Sequence, residues 1–374
     1  MKKVLFVFGT RPEAIKMAPV VKAFQANDGL EAKVCVTAQH REMLDQVLEL
    51  FKIEPDYDLN LMTSGQTLAE ISTKALNGTS EILREWKPDL VLVHGDTTTT
   101  AAAAMACFFQ RVPVGHVEAG LRTNNIWSPW PEEFNRRVTG LVSRLNFAPT
   151  MEAKANLLAE NVPEEWVDIT GNTVIDALLF ISDYIDNEAT IKSDLSKKFD
   201  FLNSRKKMLL VTGHRRENFG DGMKSICLSL LKLSQREDIE IVYPVHMNPN
   251  VKGPVETFLT NQPNIHLLAP QDYLSFVYLM KRSNIILTDS GGIQEEAPAL
   301  GKPVLVMRDT TERPEAVAAG TAKLVGTDEQ RIVAEVTKLL ESESEYAKMA
   351  ESKNPYGDGT SSQHILTSVL NFLK

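Results

Sequence analysis

The chain has 374 residues, 43% of them apolar and 24% charged, with a formal net charge of -9. That length accommodates two domains with cores of their own, and the composition excludes a disordered or low-complexity chain. The acidic balance argues against a nucleic-acid binder or a membrane-surface protein, while leaving room for a local basic pocket that holds a small anion.

The N-terminal "MKKVLFVFG" has two lysines and a short apolar run, but Arg11 and Glu13 arrive before a signal-peptide core or cleavage site is complete. No apolar run approaches the ~18 residues of a membrane span. Cys35, Cys107 and Cys227 lie far apart without a C-x-x-C pair. They read as three reduced, buried thiols, with neither structural zinc nor a disulfide framework, in a cytoplasmic protein.

Short β-rich runs alternate with helical segments: "VLFVF", "KVCVT", "LVLVH" and "VPVGHV" in the first half, "MLLVT", "IEIVYP", "NIILT" and "PVLVM" in the second. This predicts an α/β protein of two Rossmann-like, doubly wound parallel-sheet domains. The domains are expected at 1–172 and 173–355, because residues 183–207, after "TGNTVIDALL", are polar and poor in strand signals. "NPYGDG" then launches a final amphipathic helix within 356–374, for which either domain is open as a partner and packing back on the N-terminal one is preferred. "TRPEA" at 10–14 returns as "ERPEA" at 312–316, an echo that supports two related halves.

In open parallel sheets ligands bind at the carboxyl ends of strands, so the polar clusters there carry the functional reading. "FGTRPEAIKMAP" (8–19) sets Arg11, Glu13 and Lys16 after a strand and a glycine turn, and fits neither common phosphate-loop spacing. "LVLVHGDTTTT" places His94 and Asp96 at a strand end, with Thr97 to Thr100 able to cap the next helix. "VPVGHV" runs into Glu118, and a carboxylate at the end of a buried strand needs a partner or a function. The following loop carries Trp127, Trp130, Glu132, Glu133, Arg136 and Arg137, and its rings are expected to cover a pocket. Asp96, Glu118 and Glu132 are expected to converge on one crevice.

In the second half, "LLVTGHRRENFG" sets His214 beside Arg215 and Arg216 at a strand tip, suited to phosphate contact or proton transfer. "NIILTDSGGIQEEAP" runs a strand into Ser290, Gly291 and Gly292, where a helix starts. Free amides and the dipole suit phosphate there, and the glycines admit a diphosphate closely. Glu295 or Glu296, one turn on, is placed for ribose hydroxyls. Arg11 and Lys16 are expected to meet Ser290 to Gly292 across an interdomain cleft, with Arg313 as a third cation. The residues point to a nucleoside-diphosphate ligand with carboxylates on its sugar side.

"FGTRPEAIKMAP", "TAQHRE", "HGDTTTT", "HVEAGLRT", "SPWPEE", "TGNTVIDAL", "TGHRREN", "PVHMNPNV", "TDSGGIQEEAP", "RDTTERPEA" and "NPYGDG" together resemble the non-hydrolysing UDP-N-acetylglucosamine 2-epimerases, in order along essentially the whole chain. The resemblance implies a glycosyltransferase-B type fold, a homodimer, no cofactor and no metal. It also implies interconversion of UDP-GlcNAc and UDP-ManNAc through elimination of UDP to 2-acetamidoglucal and re-addition, supplying ManNAc-type sugars for surface polysaccharide. Carried over by motif, Asp96, Glu118 and Glu132 are the acid/base candidates, assisted by His214 and Arg136. Arg11, Lys16, Ser290, Gly291, Gly292 and Arg313 hold the diphosphate, Glu296 the ribose, and Phe276 borders the uracil.

Some members of that family bind a second UDP-GlcNAc as activator through a Q-H-R-Q stretch and a downstream Arg-Gln. This chain reads Gln39, His40, Arg41, Glu42, and Gly65 before Gln66. Gln39, His40, Arg41, Gln66 and His246 are therefore a candidate effector site with two departures from the pattern. The rival readings are a hydrolysing epimerase, a glycosyltransferase of the same fold and a UDP-sugar binding protein. An NAD-dependent epimerase is excluded by the lack of G-x-x-G-x-x-G near the N-terminus and of any Y-x-x-x-K.

Overall fold

Each apolar run quoted above becomes a strand of a parallel sheet. The computed structural model describes residues 1–38, 41–61 and 65–374, and they divide into two units, Met1–Ala177 with Tyr356–Lys374, and Leu178–Pro355. In the first unit the strands are β1 (Lys2–Phe8), β2 (Leu30–Val36), β3 (Tyr57–Asp58), β4 (Leu90–His94), β5 (Val114–Val117), β6 (Leu145–Ala148) and β7 (Val167–Ile169). In the second they are β8 (Lys207–Thr212), β9 (Ile239–Pro244), β10 (Ile265–Leu268), β11 (Ile285–Thr288), β12 (Val304–Val306) and β13 (Ala322–Leu324).

The first sheet runs β3-β2-β1-β4-β5-β6-β7 and the second β10-β9-β8-β11-β12-β13. Every pairing is parallel: Phe6 on β1, for example, sits opposite Val34 of β2 and Leu92 of β4. Both are doubly wound sheets, and the order reverses between β1 and β4 in one and between β8 and β11 in the other. Those two switch points are where this architecture opens a crevice for ligands.

Helices cover both faces because the strands are apolar on both sides. Thr98–Gln110 lies close on the first sheet through fully buried Ala102, Ala103, Ala104 and Ala106. Leu209, Ile226, Leu230, Ile241 and Leu287 belong to the core of the second unit. The closing helix, Ser361–Phe372, packs on the helix Arg11–Gln25. Its first amides bond to the buried carboxylate of Asp176, at 3.2 Å from Ser361 N and 2.7 Å from Ser362 N. A side chain from one helix of the first unit thus satisfies the first amides of another.

The "RPEA" echo is not a repeat of fold position. The first copy follows β1, beside the switch point; the second opens the helix Pro314–Ala318 after β12, the counterpart of β5. What the copies share is local, a proline in the first helical turn, where its missing N–H costs nothing. In the loop before the helix Glu132–Val142, Trp127 and Trp130 are 75% and 60% exposed. Among the described residues no helix is long and apolar enough to cross a membrane.

Candidate active site

At the first switch point the turn after β1 is locked to the turn after β4 by one carboxylate. Thr10 caps the helix Arg11–Gln25 in a capping box with Glu13. Glu13, 2% exposed, also accepts from Gly9 N at 3.0 Å, Thr10 N at 2.8 Å, Thr97 Oγ1 at 2.6 Å and Thr100 Oγ1 at 3.0 Å. Burial raises its pKa, and those bonds pull it back. The fit is close enough that a Cβ at Gly9 would lie 1.9 Å from Thr37 Oγ1. Of the three charges in "TRPEAIK", Glu13 is therefore the architectural one. Arg11 opens the helix half-buried, and among the described residues it makes no hydrogen bond or ion pair.

The lock presents two carboxylates from adjacent strand ends. Glu118, just past β5 with φ +60°, pairs with Lys16 Nζ through Oε2, and the same oxygen accepts from Asn172 Nδ2 at 3.0 Å. Lys16, expected at a diphosphate, is engaged by Glu118 within its own unit. Asp96, after β4, pairs with Arg136, and its backbone carbonyl accepts from Asn135 Nδ2 at 2.9 Å. Burial pushes the Asp96 carboxyl above its ordinary range; Arg136 lowers it and Glu118 adds to the rise. Arg136 is steadied by Glu133, fully buried, 3.5 Å away. His116 on β5 holds the intervening turn, with Nε2 2.7 Å from Gly95 O.

Glu132 stands apart from this pair. It begins the helix Glu132–Val142, half-buried, with no hydrogen bond or ion pair among the described residues. The nearest charges in the field of Asp96 are Arg136, Glu118 and Lys16. The structure thus brings Asp96, Glu118, Lys16 and Arg136 together and leaves Glu132 outside their hydrogen-bond network.

At the second switch point the lock comes from the opposite side. Asp289, following β11 and fully buried, accepts from His214 N at 2.9 Å, Arg215 N at 2.9 Å and Asn218 Nδ2 at 3.1 Å, all in the turn after β8. His214 projects from that turn, 44% exposed, with Nδ1 3.5 Å from Asp289 Oδ1. Its ring stacks on His246, centroids 5.4 Å apart. Burial lowers the His214 pKa, Asp289 opposes that, and His246 and Arg215 add to it.

The helix Gly291–Glu296 starts beside Asp289, and its cap residue Ser290 makes no side-chain capping bond. Glu312 lies against Gly291, where a Cβ would come 3.0 Å from Oε1, and it joins Arg215 at 2.7 Å to Arg308. Glu296 turns back over Gly292, 3.5 Å from where a Cβ would stand. Arg313, expected as a phosphate cation, pairs with buried Glu295. Phe276 sits half-buried on the helix Tyr273–Arg282.

Of the candidate effector residues, Gln39 and His40 lie outside the described residues. Arg41 opens the helix Arg41–Leu50 and is tied to Asp58 at 2.6 Å and Asn60 at 3.0 Å. Gln66 precedes the helix Leu68–Trp86 in the same unit, whereas His246 belongs to the second, on the ring of His214. Among the described residues no three His, Cys, Asp or Glu side chains are placed to hold a metal. The sequence reading assigned no task to Asp289 or Asn172. Nor did it read the capping box of Thr10 and Glu13, although the T-x-x-E spacing is its local signal; Asn172 and Asp289 act across long chain separations that no local pattern marks.

Two all-parallel, doubly wound units with polar clusters at their switch points define a protein of the glycosyltransferase-B class of folds. Within that class the chain belongs to the UDP-N-acetylglucosamine 2-epimerase family, whose model matches residues 22–370. It is 59% identical over 371 residues to the UDP-N-acetylglucosamine 2-epimerase of Salmonella typhimurium, covering 99% of each chain. It is 60% identical over 370 residues to that of Escherichia coli K12, covering 99% of this chain and 98% of the other. Among solved structures, the UDP-GlcNAc 2-epimerase of Neisseria meningitidis bound to UDP-GlcNAc is 56% identical, with a TM-score of 0.89 over 99% of this chain and 100% of that one.

Proposed function

We propose that this chain interconverts UDP-GlcNAc and UDP-ManNAc without hydrolysis. The C2 proton of such a sugar is not activated by an adjacent carbonyl, so direct abstraction is slow. In the elimination route a carboxylate takes the C2 proton, its electron pair forms the C1–C2 double bond, and the C1–O bond breaks with its pair leaving on UDP. Re-addition of UDP with protonation of the other face completes the inversion.

The observation that carries this reading is the carboxylate pair of the first unit, with Asp96 and Glu118 at adjacent strand ends and their environments set differently. Asp96, raised by burial, suits the acid, and Glu118, held by Lys16, suits the base. Arg136 orients Asp96; Glu132 has a partner-free carboxylate for a substrate group. In the second unit Ser290, Gly291 and Gly292 take the diphosphate, with Glu296 on the ribose, Phe276 at the uracil and His214 beside the phosphates. Arg11 contributes a cation to the diphosphate. Stabilising the departing UDP is electrostatic catalysis.

The working unit is a homodimer, a reading supported by the apolar side chains Phe108, Phe109 and Leu141 of the first unit, which are 61%, 66% and 86% exposed and which a second copy would cover. Light scattering checks the mass. The location is cytoplasmic, in keeping with three free, buried cysteines. The reaction is tested by incubating the protein with UDP-GlcNAc in D2O and following C2 by proton NMR. UDP-ManNAc with deuterium at C2 and an intact diphosphate link is the expected product. Free ManNAc and UDP would mean a hydrolysing enzyme, and silence until an acceptor is added would mean a transferase.

A further inference from the structure

His94 ends β4 with its side chain 4% exposed, and among the described residues neither ring nitrogen has a hydrogen-bond partner. An unsatisfied buried polar group is costly, so an apolar residue would serve the core better. Burial holds the ring neutral, with its pKa down to about 4, although Glu118 pulls it up. A neutral imidazole keeps one N–H to donate.

The surroundings say where that proton points. His94 Nε2 is 3.8 Å from Glu118 Oε2, the oxygen that already receives Lys16 Nζ and, at 3.0 Å, Asn172 Nδ2. The other oxygen, Oε1, turns over the Gly95–Asp96 turn, 3.9 Å from where a Cβ on Gly95 would stand. Resting on the reading that Glu118 moves the C2 proton, we infer that His94 is a positioning residue: as the Nε2–H tautomer it donates to Glu118 Oε2 beside Lys16 Nζ and Asn172 Nδ2, and so fixes how the carboxylate is presented to the sugar. A side-chain rotation of Glu118 closes the remaining gap, since hydrogen bonds at catalytic groups commonly tighten only with substrate bound. A donor onto a carboxylate oxygen favours its ionised form, so loss of the His94 donor is expected to make Glu118 a weaker acceptor of charge at low pH. The titratable and charged groups that face Glu118 are Lys16 from the helix Arg11–Gln25, His94 from β4, Asp96 with its Arg136, and His116 on β5.

The test compares His94→Phe with His94→Gln in the full chain. Phenylalanine keeps the volume without a donor, whereas glutamine puts an amide donor near the position of the ring Nε2. His94→Phe is expected to lower kcat ~30-fold with KM and UDP affinity within ~2-fold, and to move the acid limb of kcat to higher pH. His94→Gln should recover kcat to within ~5-fold and restore the limb. Equal kcat in the two variants with an unmoved limb overturns the inference. Because the phenylalanine variant can fail to fold, nitrogen-15 NMR of the wild-type ring gives an independent answer. The Nε2–H tautomer between about pH 6 and pH 8 supports it, and the Nδ1–H tautomer overturns it. Failure of the underlying reading is distinct: Glu118→Gln turning over at the normal rate removes Glu118 as the base, whatever the His94 variants do.

Discussion

The two switch points solve one mechanical problem with opposite parts. Each must pin the turn after one central strand to the turn after the next, and each does so with a buried carboxylate. In the first unit Glu13 reaches from the β1 side to hydroxyls of Thr97 and Thr100 beyond β4. In the second, Asp289 reaches from the β11 side to the amides of His214 and Arg215 beyond β8. The first arrangement leaves Asp96 and Glu118 to be tuned by neighbours. The second commits its own acid to the turn after β8 and leaves the His214 ring exposed at that turn. Around the same switch-point order the two sheets thus place different groups at their strand ends, a carboxylate pair in one and a histidine turn in the other.

The largest effect that can break this contrast is Glu118→Gln, expected to cut turnover ~10³-fold while UDP affinity, measured by calorimetry, is kept. Asp289→Ala should do the reverse. It strips acceptors from three donors, lowers stability by about 3 kcal/mol in urea unfolding and weakens UDP binding. Equal loss of UDP affinity in both variants would refute the division of labour.

Acid should separate the units next. The folded-state pKa values of His94 and His116 are pushed by burial from 6.5 to about 4 and about 3. The unfolded chain takes up protons below its own value of 6.5 that the folded unit refuses. The stability these rings confer is thus full above that pH and declines as pH falls toward the folded values, by about 3 kcal/mol for His94 alone. All four tryptophans, Trp86, Trp127, Trp130 and Trp166, lie in the first unit. Their fluorescence should show a lower urea midpoint at about pH 4.5 than at about pH 7.5; a midpoint independent of pH would rule this out. The smallest effect is Thr97→Ala, which removes a helix cap and one bond to Glu13. About 1–2 kcal/mol of stability should go, with kcat nearly unchanged.

The eight strands legible in the chain are β1, β2, β4 and β5, and β8, β9, β11 and β12, the central four of each sheet. Of the others, β3, β7, β10 and β13 lie at sheet edges, while β6 is a buried interior strand between β5 and β7 whose four residues are interrupted by Asn146. Most are short and partly exposed, as in β7, where only Val167 is buried. A strand covered on both faces writes a continuous apolar run, and an edge strand does not. The site divides the same way. Asp96, Glu118, His214 and Ser290 follow readable strands, so their placement at strand ends was legible. The opposing roles of Glu13 and Asp289 and the reach of Asn172 were not.

By itself the sequence determined the family, the two parallel sheets and which residues stand at strand tips, because periodicity, strand punctuation and long motifs are properties of neighbours in the chain. Tertiary structure alone decided which charge is architecture and which is chemistry. Lys16 meets Glu118, Arg313 meets Glu295, and His94 Nε2 comes to 3.8 Å from Glu118 Oε2. The physical reason is that ion pairing and desolvation depend on distances across the sheet, between residues as far apart as 16 and 118, which local sequence does not encode.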